Sequence, residues 1–210
     1  NDGGGWTAWE PFGGSRAWTL RDLDGTRSVY AEIRDTAGNV RAVSDDIVLD
    51  RSGPTGSLAI NGGDAWTGST TVTLAISASD AYSGVTHMRV HDAQHAGTWQ
   101  AYDTSRAWTF TGGDAASKTV YVDFRDGAGN ERIDAAVDAI GLDTQDPSIG
   151  TFEINGGDAS TSSPSVTLTI SASDDAPSSG VSEMKIWNDG ESEPPGWESY
   201  ATSRSWTLRD

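Results

Sequence analysis

The segment Ser-Arg-x-Trp-Thr occurs three times in this chain, from Ser15, from Ser105 and from Ser203. Each copy has a second Trp nine residues before its own: Trp9 before Trp18, Trp99 before Trp108, Trp197 before Trp206. An aromatic residue follows three positions after that earlier Trp, namely Phe12, Tyr102 and Tyr200. The repeated Trp residues Trp18, Trp108 and Trp206 are 90 and 98 residues apart. A period of that length is too long for a solenoid unit and matches one small domain. The chain therefore reads as a tandem array of one β domain.

Composition narrows the class further. Ser, Thr, Gly and Asp are abundant and no helix-favouring run stands out, which predicts an all-β protein with many turns. With no Cys there is no disulfide, no thiolate metal site and no Cys nucleophile, so each domain depends on its own core. The net charge of −17 repels phosphate backbones and anionic lipid, which sets nucleic acid and membrane surfaces aside and favours cations. No apolar run is long enough to span a bilayer as a helix. Residue 1 falls in mid-repeat, so the lack of a signal peptide carries no information, and the parent chain is expected to continue upstream.

Three segments follow. Residues 1–50 read as the C-terminal half of a repeat, with strands at Arg16–Leu20, Ser28–Ile33 and Asp46–Leu49 and a turn at Asp35–Asn39. Residues 51–143 read as one complete repeat of seven short strands. Its clearest strand alternates Val72, Leu74, Ile76 and Ala78 with Thr71, Thr73, Ala75 and Ser77. Residues 144–210 restart the repeat as its N-terminal part: Ile154–Ala159 copies Ile60–Ala65, and Ile170–Asp174 copies Ile76–Asp80. The two ends overlap. Asn1-Asp-Gly matches Asn188-Asp-Gly, and Trp18–Asp22 matches Trp206–Asp210. Either the chain is a window on a longer array, or open ends of neighbouring chains complete one another by supplying strands.

The repeat resembles the bacterial immunoglobulin-like, fibronectin type III-like tandem domains of cell-surface and secreted proteins. The matching features are the Asp-x-Ala-Gly-Asn turns at Asp35–Asn39 and Asp126–Asn130, the Ser-Gly-Val at Ser83–Val85 and Ser179–Val181, and the linkers Leu49–Pro54 and Leu142–Pro147. The linkers differ in that Asp146 intervenes only in the second. The resemblance implies tandem immunoglobulin-like β-sandwiches of seven antiparallel strands, with incomplete terminal repeats. It also implies an extracellular stalk, spacer, adhesin segment or filament module without catalysis, whose partners are other copies of the repeat. Function is not fixed by fold alone.

Within such a sandwich the linker, the loop after the long strand and the last hairpin meet at one pole. Asp50, Asp80 and Asp126, with Asn130, are therefore expected to converge. At the next joint Asp143, Asp146 and Asp174 are offered. Oxygen ligands from several loops suit a hard cation such as Ca²⁺, the one cofactor suggested. Turn capping by the same Asp residues is the competing reading.

The Trp residues offer a second possibility. Trp18, Trp108 and Trp206 are expected in the core. Trp99 with Tyr102 and Trp197 with Tyr200 could instead line an exposed strip that stacks on sugar rings, which would make the chain a carbohydrate-binding accessory module. Arg16, Arg106 and Arg204 sit two residues from Trp on the same strand face, where stacking on the indole is plausible. His87, His91 and His95 have helical spacing in strand-like surroundings and no counterparts in the third repeat, so they are not read as metal ligands. No Ser, Thr or carboxylate pair stands in a recognisable catalytic setting.

Overall fold

The computed structural model describes residues 5–209. Asn1–Gly3 and Asp210, on which the matching of the two ends partly rests, lie outside the described residues. Every regular element is a β-strand. In chain order they are β1 (Gly25–Arg34), β2 (Val40–Leu49), β3 (Thr55–Ile60), β4 (Trp66–Thr67), β5 (Thr71–Ser79), β6 (Val85–His91), β7 (Gln100–Ala101) and β8 (Ser105–Thr109). There follow β9 (Ala115–Asp126), β10 (Glu131–Leu142), β11 (Ser148–Ile154), β12 (Ser165–Ser173), β13 (Glu183–Met184), β14 (Glu198–Ser199) and β15 (Ser203–Thr207). They form the hairpin β1–β2, a sheet β3–β5–β8, a sheet β4–β10–β9–β6–β7, a sheet β11–β12–β15 and the pair β13–β14. Among the described residues no helix is long and apolar enough to cross a membrane.

The described residues fall into two compact units. The first comprises the residues up to Ala59, Leu74–Arg106 and Thr119–Asp138. Its buried apolar side chains are Leu74, Ile76, Met88, Val90, Val120, Val122, Phe124 and Ala136. Strict alternation puts Val120, Val122 and Phe124 on one face of β9 and leaves the other face to Asp123 and Tyr121. The two sheets meet at Gly56 of β3. A Cβ there would lie 2.5 Å from the Phe124 ring and 2.4 Å from the Ser77 carbonyl oxygen, so only glycine lets the ring reach the β3 backbone. Two facing sheets with side chains between them make the β-sandwich that the alternation predicts.

The second unit comprises Ile60–Thr73, Ala107–Lys118 and the residues from Ala139 on. Ile60, Val72, Phe110, Ile140 and Leu142 are buried in it. A separate cluster is formed by Val166, Leu168, Ile170 and Met184, with Ile186, Tyr200, Trp206 and Leu208 against it. The Asn-Gly-Gly-Asp turns are built alike. Asn61 and Asn155 both have φ 48°, followed by Gly62 at 75° and Gly156 at 71°. Two successive positive φ values define a primed turn, which Asn and Gly tolerate. Each Asn also accepts a bond of 2.9 Å on its side-chain oxygen, from the amide of Thr73 or Thr167.

One expected strand is not formed. The copies of Ser-Arg-x-Trp-Thr at β8 and β15 are strands because each borders a long partner, β5 or β12. Residues 15–19 repeat the letters of β8, but among the described residues no strand of that kind lies beside them, and they stay irregular. A strand needs a neighbour to satisfy its backbone groups. Trp18 is accordingly exposed rather than in a core, whereas Trp108 and Trp206 are half-buried.

Candidate metal centre

Asp50 leaves the end of β2, Asp80 opens the loop after β5, and Asp126 closes β9. The structure brings these three together: one carboxylate oxygen from each lies within 4.8 Å of the others. Asp50 and Asp126 are buried and Asp80 is half-buried.

Local chemistry explains each position. Asp80 Oδ1 accepts the amides of Tyr82, Ser83 and Gly84 at 2.9–3.0 Å, wrapping the loop around one oxygen. Asp50 accepts from the Ser83 hydroxyl and, at 3.2 Å, from the Ser83 amide, and its other oxygen caps Ser52 at 3.1 Å. Asp126 holds Asn130 through the amide at 2.8 Å and Nδ2 at 2.9 Å. Asn130 Nδ2 also donates to the Asp50 carbonyl at 3.1 Å. The Ser83 hydroxyl, followed by burial that opposes it, then the Ser52 and Ser83 amides, leaves the Asp50 carboxyl below the ordinary aspartate range. Asn130 thus positions the site through its nitrogen.

The second set is assembled in part. Asp143 is buried, and its two carboxylate oxygens accept the Ser179 amide at 2.7 Å and the Gln145 amide at 3.3 Å. The Ser179 amide is the main reason its carboxyl titrates low. The Asp174 carboxylate lies beside it and accepts the Gly180 amide at 3.1 Å. Asp174 Oδ1 is buried without a hydrogen-bond partner among the described residues. Asp146, which stands where the first linker has Gly53, is exposed.

A third cluster was not singled out from sequence. Asp123 is fully buried on β9, facing β6, where Arg89 Nε donates to it at 2.6 Å and His91 Nε2 lies 3.2 Å away. Its Oδ1 also accepts the Asp134 amide at 2.7 Å, and Asp134 holds φ 51°. His91, Asp123 and Asp134 offer ligand atoms within 4.8 Å of one another. Arg89 bonds the other carboxylate oxygen of Asp123, Oδ2, which makes the cluster an ion-pair network as it stands. The signal was cross-strand register, which pairs Arg89 with Asp123 and is invisible one strand at a time. His87 and His95 stand elsewhere, bonded to Thr86 and Asp92.

The aromatic strip is not assembled. Tyr102 and Tyr200 turn inward, each accepting an amide on its hydroxyl at 2.9 Å, from Ala78 and from Ala172. Tyr102 also meets Phe124 edge-on at 6.1 Å. Trp99 is half-buried under Arg125 at 4.3 Å and Arg89 at 5.1 Å, and Trp197 is exposed beside Lys185 at 4.7 Å. Arg16 does lie over Trp18, at 5.7 Å, but Arg106 bonds Gln100 and Arg204 pairs with Glu198. In the complete repeat the stacking cations come from β6 and β9 instead.

The fold is all-β, and its centre of interest is a set of paired loops and linkers carrying carboxylates. No protein-family model matches the chain, and comparison with curated protein sequences finds no match. Among solved structures it is similar to a tetra-tandem repeat in the extending region of a large adhesion protein, at 16% identity and a TM-score of 0.30. That match covers 90% of this chain and 49% of the other, so the chain spans about half the length of that structure. A likeness of that size carries no weight for function.

Proposed function

We propose that the chain is a non-catalytic structural segment, a stalk, spacer or adhesin module of a longer extracellular repeat protein, with repeat boundaries at 50/51 and 143/144. The observation that carries this reading is the rebuilt junction. Linker Asp50 is bonded to Ser83 of the loop that follows, and linker Asp143 is bonded to Ser179 in the same way. A linker whose carboxylate is tied to the next repeat is short of conformational freedom, which suits a part that sets length and stiffness. Stretching single molecules tests it. Residues 51–143 should unfold in one discrete event that releases roughly 300 Å of chain. Smooth extension without such an event would end this reading.

The convergence of Asp50, Asp80 and Asp126 favours an added role for Ca²⁺. Three carboxylates this close repel one another, and a divalent cation with oxygen ligands offsets that repulsion. A cation bound only by the folded chain raises the melting temperature by mass action. Calorimetry should therefore record a higher transition in millimolar Ca²⁺, reversed by chelator and absent in Asp126→Asn. An unchanged transition rules the ion out.

A further inference from the structure

We infer that the β1–β2 hairpin of one molecule docks on the free edge of residues 183–187 in a second copy of this chain, in the register of β9 on β6. This rests on reading the repeats as structural modules and names their partner.

The complete repeat supplies the template. There β6 pairs with β9 in the register His87 to Arg125, Met88 to Phe124, Arg89 to Asp123, Val90 to Val122 and His91 to Tyr121. The hairpin carries the same strand: Val29-Tyr-Ala-Glu-Ile-Arg-Asp35 stands against Val120-Tyr-Val-Asp-Phe-Arg-Asp126. Its turn is also the same, since Asp35 holds Asn39 through amide and Nδ2 at 2.8 Å as Asp126 holds Asn130. Yet the inward residues are not covered. Ile33 is 49% exposed where Phe124 is 0%, and Val43 and Ile47 are both 57% exposed.

The receiving edge lies in the third repeat. Met184, Lys185, Ile186 and Trp187 correspond to Met88, Arg89, Val90 and His91. Among the described residues β13 pairs only with β14, and residues 185–187 have no strand beside them.

Superposing the register gives the pairs Glu183 with Arg34, Met184 with Ile33, Lys185 with Glu32, Ile186 with Ala31 and Trp187 with Tyr30. Both charged pairs are of opposite sign. Lys185 with Glu32 replaces the ion pair Arg89–Asp123, and both partners change while the signs are kept. Trp187 with Tyr30 replaces the stacked His91–Tyr121, whose rings are 5.4 Å apart. Opposite charges directly across a strand pair select register and partner.

Docking asks for two local changes. Lys185 Nζ must leave Glu193, 2.8 Å away, whose side chain is largely exposed. Trp9 and Trp18, which line a cleft of about 330 Å³ with Val29 and Ala31, must move aside. The donor and acceptor surfaces differ, so the contact is head-to-tail and joins molecules into rings or open chains.

The test is sedimentation of the full 210-residue chain over a range of concentrations, with Glu32→Lys and Lys185→Glu variants. The wild type should form concentration-dependent oligomers. Each variant alone should associate at least about tenfold more weakly, because it sets like charges across the contact. An equimolar mixture of the two should recover wild-type association, since each hairpin then meets an edge of opposite charge. So should the double variant. A wild type that stays monomeric, variants that associate as the wild type does, or a mixture no better than its components each overturns the inference. A folded monomer that still unfolds in a discrete event would leave the spacer reading standing while this one falls.

Discussion

Replacing Phe124 by alanine is expected to destabilise the complete repeat by about 4 kcal/mol, the largest effect of any single truncation in the chain. Phe124 has no exposed surface and is the largest of the fully buried side chains. Its ring fills the space between β3 and β9 that Gly56 leaves open, and Tyr102 packs edge-on against it at 6.1 Å. Truncation removes the transfer free energy of the ring and leaves a cavity that two sheets cannot collapse around. Tyr102 is itself tied to the Ala78 amide, so it is not free to move in. A domain of this size has only about 5–15 kcal/mol in total, so the loss takes a large share. Urea unfolding of the wild type and Phe124→Ala measures it. A difference below about 1 kcal/mol would mean the two sheets do not close on this ring.

Asp123→Ala is expected to cost about 3 kcal/mol at neutral pH, for an electrostatic reason. Asp123 is fully buried while the Arg89 side chain is partly exposed, and removing the carboxylate strands the guanidinium and the Asp134 amide together. Desolvation by itself raises the Asp123 carboxyl, but the Asp134 amide, Arg89 and His91 outweigh it, so the group titrates below the ordinary aspartate value of 3.8. A carboxyl depressed in the folded state contributes stability that is complete above 3.8 and is lost as pH falls through the folded value. The wild type should therefore lose stability on acidification below about pH 4, and the Asp123→Ala variant should lose less. The comparison is read from thermal transitions of both proteins at neutral and acid pH. Equal acid sensitivity would show that this network does not link pH to folding. Asp35, Asp50 and Asp143 are depressed as well, mainly by Asn39, the Ser83 hydroxyl and the Ser179 amide respectively, and add to the wild-type slope with the same sign.

Much of this was legible beforehand, and particular residues say why. The alternation from Val72 to Ala78 became β5 because a period of two is a property of the strand itself. The turns at Asp35–Asn39 and Asp126–Asn130 formed because Asp and Asn bond locally, within four residues. The meeting of Asp50, Asp80 and Asp126 could be anticipated because loops at one pole of a sandwich are brought together by topology.

Other features depended on neighbours that no local pattern names. Residues 15–19 and 105–109 have the same letters, and only the second is a strand, because only it has a long strand to bond. Tyr102 and Tyr200 suggested a flat aromatic surface by spacing, yet their hydroxyls are drawn inward by amides 24 and 28 residues away in the chain. Asp123 gave no sign of its role until register set Arg89 opposite it and brought His91 within reach on the diagonal.

Periodicity and turn chemistry are short-range properties of covalent order, and they were enough to establish an all-β fold. Which strands acquire partners, which carboxylates share a donor and which aromatic faces stay wet are set by pairing between distant segments. That pairing minimises unsatisfied backbone and buried charge over the whole fold, so it belongs to the tertiary structure alone.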